Sequence, residues 1–197
     1  KDLTNNSYGT ITATIASQEF SGAQLTPNVV ISYVVTYKGT EKTNTLVKQT
    51  DFSVAYYNQA GTQALTASDL VAAGTYMVKI TGTGNYTGTA KTTFTINRAD
   101  NITAKIDSIE DMVYRTEFKI ADKLYTPENK GVTWYYTVGE KTESSVWTEF
   151  DPIAKNTLNV GEYTVRADIA QTDNYNAVTS GFIEFVVKKQ EVTDEQI

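Results

Sequence analysis

An all-β chain of two tandem antiparallel β-sandwiches is what this sequence predicts, on three observations. One phrase occurs twice: Gly74-Thr75-Tyr76-Met77-Val78-Lys79-Ile80, Asn85-Tyr86 and Phe94-Thr95-Ile96 return as Gly161-Glu162-Tyr163-Thr164-Val165-Arg166-Ala167, Asn174-Tyr175 and Phe185-Val186-Val187. Apolar residues come in short bursts that alternate with Thr and charged residues, the period of a half-buried strand. Turn residues separate the bursts at a cadence that suits a sandwich or barrel.

The copies are offset by 87 residues at the first element, 89 at the second and 91 at the third, a drift that small loop insertions explain. That internal repeat divides the 197 residues into two domains, each near the ~100 residues of a small sandwich. Domain 1 is expected over 1–98, domain 2 over 99–190, and a charged tail over 191–197. The boundary falls at Asn97-Arg98-Ala99-Asp100-Asn101. No Gly/Ser- or Pro-rich linker stands there, so a semi-rigid junction is expected.

In the first copy, Tyr8 to Ile15 alternates apolar residues with threonines and reads as the opening strand. Val29 to Tyr37, Phe52 to Tyr57, Tyr76 to Thr81 and Ala90 to Ile96 share its β-branched and aromatic enrichment. Pro27, Gly39, Asn58, Gly61 and the Gly82 to Gly88 cluster punctuate them, the last as a hairpin loop. Ala64 to Ala73 is at most a turn or two of helix, read as a crossing between sheets. In the second copy strands are expected at Ile102 to Ile106, Glu117 to Ile120, Val132 to Val138, Val146 to Phe150, Tyr163 to Ile169 and Phe182 to Val187, with a turn at Glu128-Asn129-Lys130-Gly131.

Composition limits the chemistry. Cysteine and histidine are both absent, which removes disulfides, Cys-His and Ser-His-Asp nucleophile systems, ordinary zinc sites and haem ligation by either residue. No cofactor is expected. Seventeen basic and 23 acidic residues give a net charge of -6, a mean field that repels nucleic acid and anionic membranes. No apolar run approaches the ~18 residues that cross a bilayer, so no membrane insertion is expected. A chain opening at Lys1 without Met reads as a fragment of a longer one.

The repeated phrase has a physical use. Leu70…Gly74-x-Tyr76 and Leu158…Gly161-x-Tyr163 have the shape of a tyrosine corner, in which a Tyr hydroxyl turns back to the main chain at the start of a strand. Gly74 and Gly161 would allow positive φ or close approach there. Val78 and Val165 stand where a disulfide-bonded domain would carry its second Cys. Trp134 lies where a buried aromatic is expected, with Tyr33 or Tyr37 as its counterpart in the first copy.

On these strings the chain resembles the bacterial immunoglobulin-like repeats of large surface and secreted proteins, including adhesins and multidomain carbohydrate-active enzymes. The resemblance is strongest over 74–96 and 161–187. It implies immunoglobulin-like sandwiches, an extracellular location at the cell surface or in secretion, neighbouring domains in the same chain, and a stalk or binding role with a glycan or a host surface protein as partner.

Candidate sites are few. Trp134, Tyr135, Tyr136 and Trp147 would make an aromatic platform on which a sugar ring stacks; the strand position predicts burial for Trp134, and Trp147, among polar neighbours, is the residue expected to touch a ligand. Glu140 with Glu143, or Glu149 with Asp151, offer the carboxylate pairs that glycoside hydrolysis needs, but they read as solvated loop charges. Asp168, Asp173 and Asn174 lack the spacing of a calcium loop and read as turn formers. Asn5-Asn6-Ser7, Asn85-Tyr86-Thr87 and Asn101-Ile102-Thr103 match a glycosylation sequon by letter only. The expected function is a non-catalytic spacer or adhesion stalk; the alternative is a carbohydrate-binding module attached to a polysaccharide-degrading enzyme, and a catalytic domain is a third reading that requires a pocket of convergent carboxylates.

Overall fold

The computed structural model describes all residues except 5–9, 102, 118–119, 129, 154–157 and 192–197; the first sequon, most of the charged tail and the start of the first expected strand lie outside the described residues. The chain forms two compact units, Lys1–Ala99 and Asp100–Ile197. Both are built from strands and short 3-10 turns, and the described residues include no α-helix.

Unit 1 contains β1 (Thr10–Ile15), β2 (Gln18–Glu19), β3 (Val29–Tyr37), β4 (Thr40–Thr45), β5 (Phe52–Tyr57), β6 (Ala64–Leu65), β7 (Gly74–Gly82) and β8 (Thr89–Asn97). These make a three-stranded sheet in the order β1-β3-β4 and a five-stranded sheet in the order β2-β8-β7-β5-β6. All pairs are antiparallel except β2 with β8, where Gln18 lies opposite Ile96. Alternation does the sorting: Val29 and Ile31 from one sheet meet Phe52, Val78, Ile80, Phe94 and Ile96 from the other in one buried cluster, an arrangement consistent with a β-sandwich.

Two expectations change here. The stretch 64–73 does not cross between sheets: β6 and β7 flank β5 within one sheet, joined by a 3-10 turn at Ala67–Asp69. The small sheet is instead drawn from strands that precede β5. One strand was not legible at all. The sequence of β4, Thr-Glu-Lys-Thr-Asn-Thr, has no apolar face to bury. It exists because Lys38 (φ 49°) and Gly39 (φ 77°) form a two-residue turn with both residues left-handed, the conformation whose twist brings a hairpin strand back into register.

Unit 2 contains β9 (Lys105–Ile106), β10 (Met112–Val113), β11 (Leu124–Tyr125), β12 (Val132–Val138), β13 (Thr148–Phe150), β14 (Gly161–Ile169), β15 (Val178–Thr179) and β16 (Ile183–Lys188). Six of them form one sheet, β10-β16-β14-β12-β13 with β15 also on β14, and β9 pairs β11. Of the expected strand from Glu117 to Ile120, Glu117 forms a single β-bridge, 118–119 lie outside the described residues, and Ile120 is not in a strand. Ile120 is fully buried at the head of a 3-10 turn, Ala121–Lys123, so a buried apolar residue here serves a turn and not a ladder.

The large sheets of the two units follow one plan. Tyr76 pairs Phe94 and Gly74 pairs Ile96; Tyr163 pairs Phe185 and Gly161 pairs Val187. Tyr56 pairs Val78 as Tyr136 pairs Val165. The short parallel strand recurs too, β10 on β16 with Met112 opposite Val187. This register corrects the expected counterpart of Trp134. Its place in unit 1 belongs to Val54, opposite Ile80, whereas Trp134 lies opposite Ala167. A large ring against a small methyl fills the space that two medium side chains fill in the other copy. Tyr37 is 71% exposed, and Tyr33, on the small sheet, packs edge-on to Tyr86 with ring centroids 6.4 Å apart.

Candidate functional site

Both corner tyrosines close on the main chain. Tyr76 donates its hydroxyl to the Ala72 carbonyl at 2.7 Å, and Tyr163 donates to the Asn159 carbonyl at 3.0 Å, each four residues upstream. Each ring stacks on the phenylalanine across the ladder, Phe94 at 6.3 Å and Phe185 at 5.8 Å between centroids. Burial raises the pKa of both phenols. Gly74 and Gly161 have φ of +154° and +158°, the positive φ expected there and a conformation that residues with a β-carbon rarely adopt. A Cβ would meet nothing within 4 Å at Gly74 and nothing closer than 3.7 Å at Gly161, so close approach is not what places glycine here.

The four aromatic candidates part onto two faces, as strand alternation dictates. Trp134 is 4% exposed and sits edge-on to Phe150. Tyr136 points to the same interior, with the rings of Phe150 and Tyr163 each 5.7 Å away. Neither is part of a surface platform. Tyr135 and Trp147 belong to the opposite face.

On that outer face the structure assembles partners that single-residue reading missed. Arg166, opposite Tyr135 in the β12–β14 ladder, holds its guanidinium carbon 5.1 Å from the Tyr135 centroid and 4.5 Å from that of Trp147. Trp147 stacks on Phe182 at 5.6 Å and 30°. Lys141 brings its ammonium 4.4 Å from the Phe182 centroid. Asp168 anchors the row, accepting from Arg166 Nη2 at 3.1 Å and from Thr179 Oγ1 at 2.9 Å. The signal for Arg166 lay in the alternation of β14, whose residues Arg166 and Asp168 take the outer side of the sheet if Tyr163, Val165 and Ala167 face in; Thr164, on the same side, is buried where its hydroxyl donates to the Gly139 carbonyl. Phe182 and Lys141 come from other segments, and only the fold unites them.

This row of alternating rings and cations is a half-open surface, with Phe182 40% exposed. Chemically it can stack an apolar sugar face and offer cationic donors at its edge. Among the described residues unit 1 has no such row. The register puts Ala55 and Lys79 where unit 2 has Tyr135 and Arg166.

Of the candidate carboxylates, Glu149 lies opposite Tyr135 in the β12–β13 ladder, beside this row. Glu140 lines a shallow cleft of about 270 Å³ with Asp111, Glu162 and Glu184; Asp111 there accepts from the Val186 amide at 3.0 Å and pairs with Lys188 at 2.8 Å. Asp151 accepts from the Ile153 amide. Among the described residues no group of three or more His, Cys, Asp or Glu could hold a metal. Asn101 is 2% exposed and donates to Thr126, which leaves its sequon unreachable; Asn85 is exposed. Among the described residues no lysine is buried, as an internal Lys-Asn cross-link would require. No helix of the described chain is long and apolar enough to cross a membrane.

No protein-family model matches the chain, and no curated protein is significantly similar to it.

Proposed function

We propose that the chain is a pair of consecutive immunoglobulin-like β-sandwich modules from a bacterial surface or secreted protein, acting as a non-catalytic spacer or adhesion stalk. The observation that carries this reading is what the two copies share. They repeat a framework, the corner tyrosine, its stacked phenylalanine and the short parallel edge strand, and among the described residues they share no polar constellation. Duplicating a scaffold provides reach and resistance to unfolding; duplicating an active site would leave matching polar groups. The carboxyl groups with shifted acidity also favour it: Asp2, Asp69, Asp111 and Glu128 are all shifted down, through hydrogen bonds from neighbouring side chains and amides, whereas a general acid needs the opposite shift.

Single-molecule stretching between the chain ends tests this directly. Two unfolding events of nearly equal contour length, on the order of 300 Å each, are expected. One cooperative event, or extension without resistance, would contradict the proposal.

A second reading rests on the outer aromatic row of unit 2: a carbohydrate-binding module that uses Trp147, Phe182 and Tyr135 as stacking surface. It predicts retention in affinity electrophoresis on immobilised polysaccharide, weakened by Trp147→Ala. Unretarded migration on a panel of neutral and acidic polysaccharides removes it.

A further inference from the structure

We infer that unit 2 holds a calcium ion where the segment Asp100-Asn101, the turn from Thr126 to Glu128 and the loop from Thr172 to Asn176 come together. Asn101 motivates the assignment. Its side chain is 2% exposed, and its carboxamide oxygen is buried with no hydrogen-bond partner, while the amide nitrogen of the same group donates to Thr126 Oγ1 at 3.1 Å. The orphan acceptor is therefore seated in the cluster by its own second atom. A buried acceptor without a donor is uncommon in folded proteins and calls for a water or an ion.

The surroundings favour an ion that prefers oxygen. Thr126 Oγ1 lies 3.2 Å from the Glu128 carbonyl. The Glu128 carboxylate accepts from Asn174 at 3.1 Å. Asp100 adds a second carboxylate, tied to Asn176 at 2.8 Å. Carboxylates, side-chain amides, a hydroxyl and a main-chain carbonyl from three segments are the donor set of a hard, flexible, oxygen-coordinated cation.

Unit 1 supplies the contrast. There Asp2 bridges Thr87, in the loop that matches Asn176, and the next residue is Leu3, 5% exposed in the core. In sequence order the residue after Asp2 is a leucine in the core, and the residue after Asp100 is a buried asparagine.

Thermal unfolding of the whole chain, compared in excess CaCl2 and in EDTA, tests the site. With calcium held near tenfold above a dissociation constant on the order of 1 mM, the unit 2 transition should rise by roughly 6–11 °C. Titration calorimetry should give one ion per chain. Asn101→Leu, which restores the unit 1 residue, should keep or raise the metal-free midpoint and abolish the response; Glu128→Gln should weaken calcium binding at least tenfold. Identical midpoints in calcium and EDTA would overturn the inference, as would an equal shift from magnesium or an undiminished response in both variants.

Discussion

At the scale of single residues, the difference between Trp134 and Trp147 shows how little residue type says without a face. They lie 13 positions apart, one sealed in the interior and one on the outer row. Trp134→Ala should cost about 3–5 kcal/mol by opening a cavity that Ala167 and Phe150 cannot fill. Trp147→Ala should cost about 1 kcal/mol or less, since it removes only a partly exposed stack and a cation contact. Urea titrations of the two variants check the contrast, and equal losses would mean the faces are misassigned. The corner hydroxyls are worth less than the rings that carry them. Tyr163→Phe keeps the stack on Phe185 and leaves the Asn159 carbonyl without its donor, a loss of about 1 kcal/mol in the same titration.

Elements are decided by backbone chemistry as much as by apolar pattern. The β3–β4 hairpin places Lys38, a residue with a β-carbon, at φ 49°. Asn tolerates that conformation better, so Lys38→Asn should stabilise unit 1 by about 0.5 kcal/mol in chemical denaturation. The parallel pair β10–β16 depends on one carboxylate. Asp111 accepts from the Val186 amide and pairs with Lys188, and its pKa is lowered, first by the Lys188 hydrogen bond and then by that of Val186. A folded-state pKa below the unfolded one means that the stabilisation is present above the unfolded value, about 3.9, and fades as pH falls through the folded value. The stability gap between the native chain and Asp111→Asn should therefore be largest near neutral pH and shrink in acid. A gap that is constant with pH would show that Asp111 acts only by packing.

For the whole molecule, the two buried clusters have separate membership. One runs from Leu3 to Ile96 and the other from Ile106 to Val187. A core substitution should then act on its own unit. In calorimetry, Trp134→Ala should move one transition down and leave the other in place; a single transition that moves as a whole would indicate coupled folding of the two units. The repeated framework belongs to this scale as well, because the stalk reading draws on what both copies keep. The aromatic row and the Asn101 cluster are confined to unit 2, so any binding role belongs to one copy and not to the repeat.

The amino-acid order by itself determined the all-β class, the repeat, the corner tyrosines and five of the longer strands nearly to the residue. Each of these depends on short-range information: alternation, turn residues and a phrase said twice. What it left open was decided by contacts between distant segments. The polar strand β4 exists through a turn conformation, and the 64–73 stretch returns to its own sheet because β5 offers both edges. Val54 and not a tyrosine matches Trp134 because the ladder register sets the volume beside it. Arg166, Phe182 and Lys141 join Trp147, and Asn101 joins Glu128, only once pairing has brought together side chains far apart in the chain, and no local pattern encodes which of them will meet.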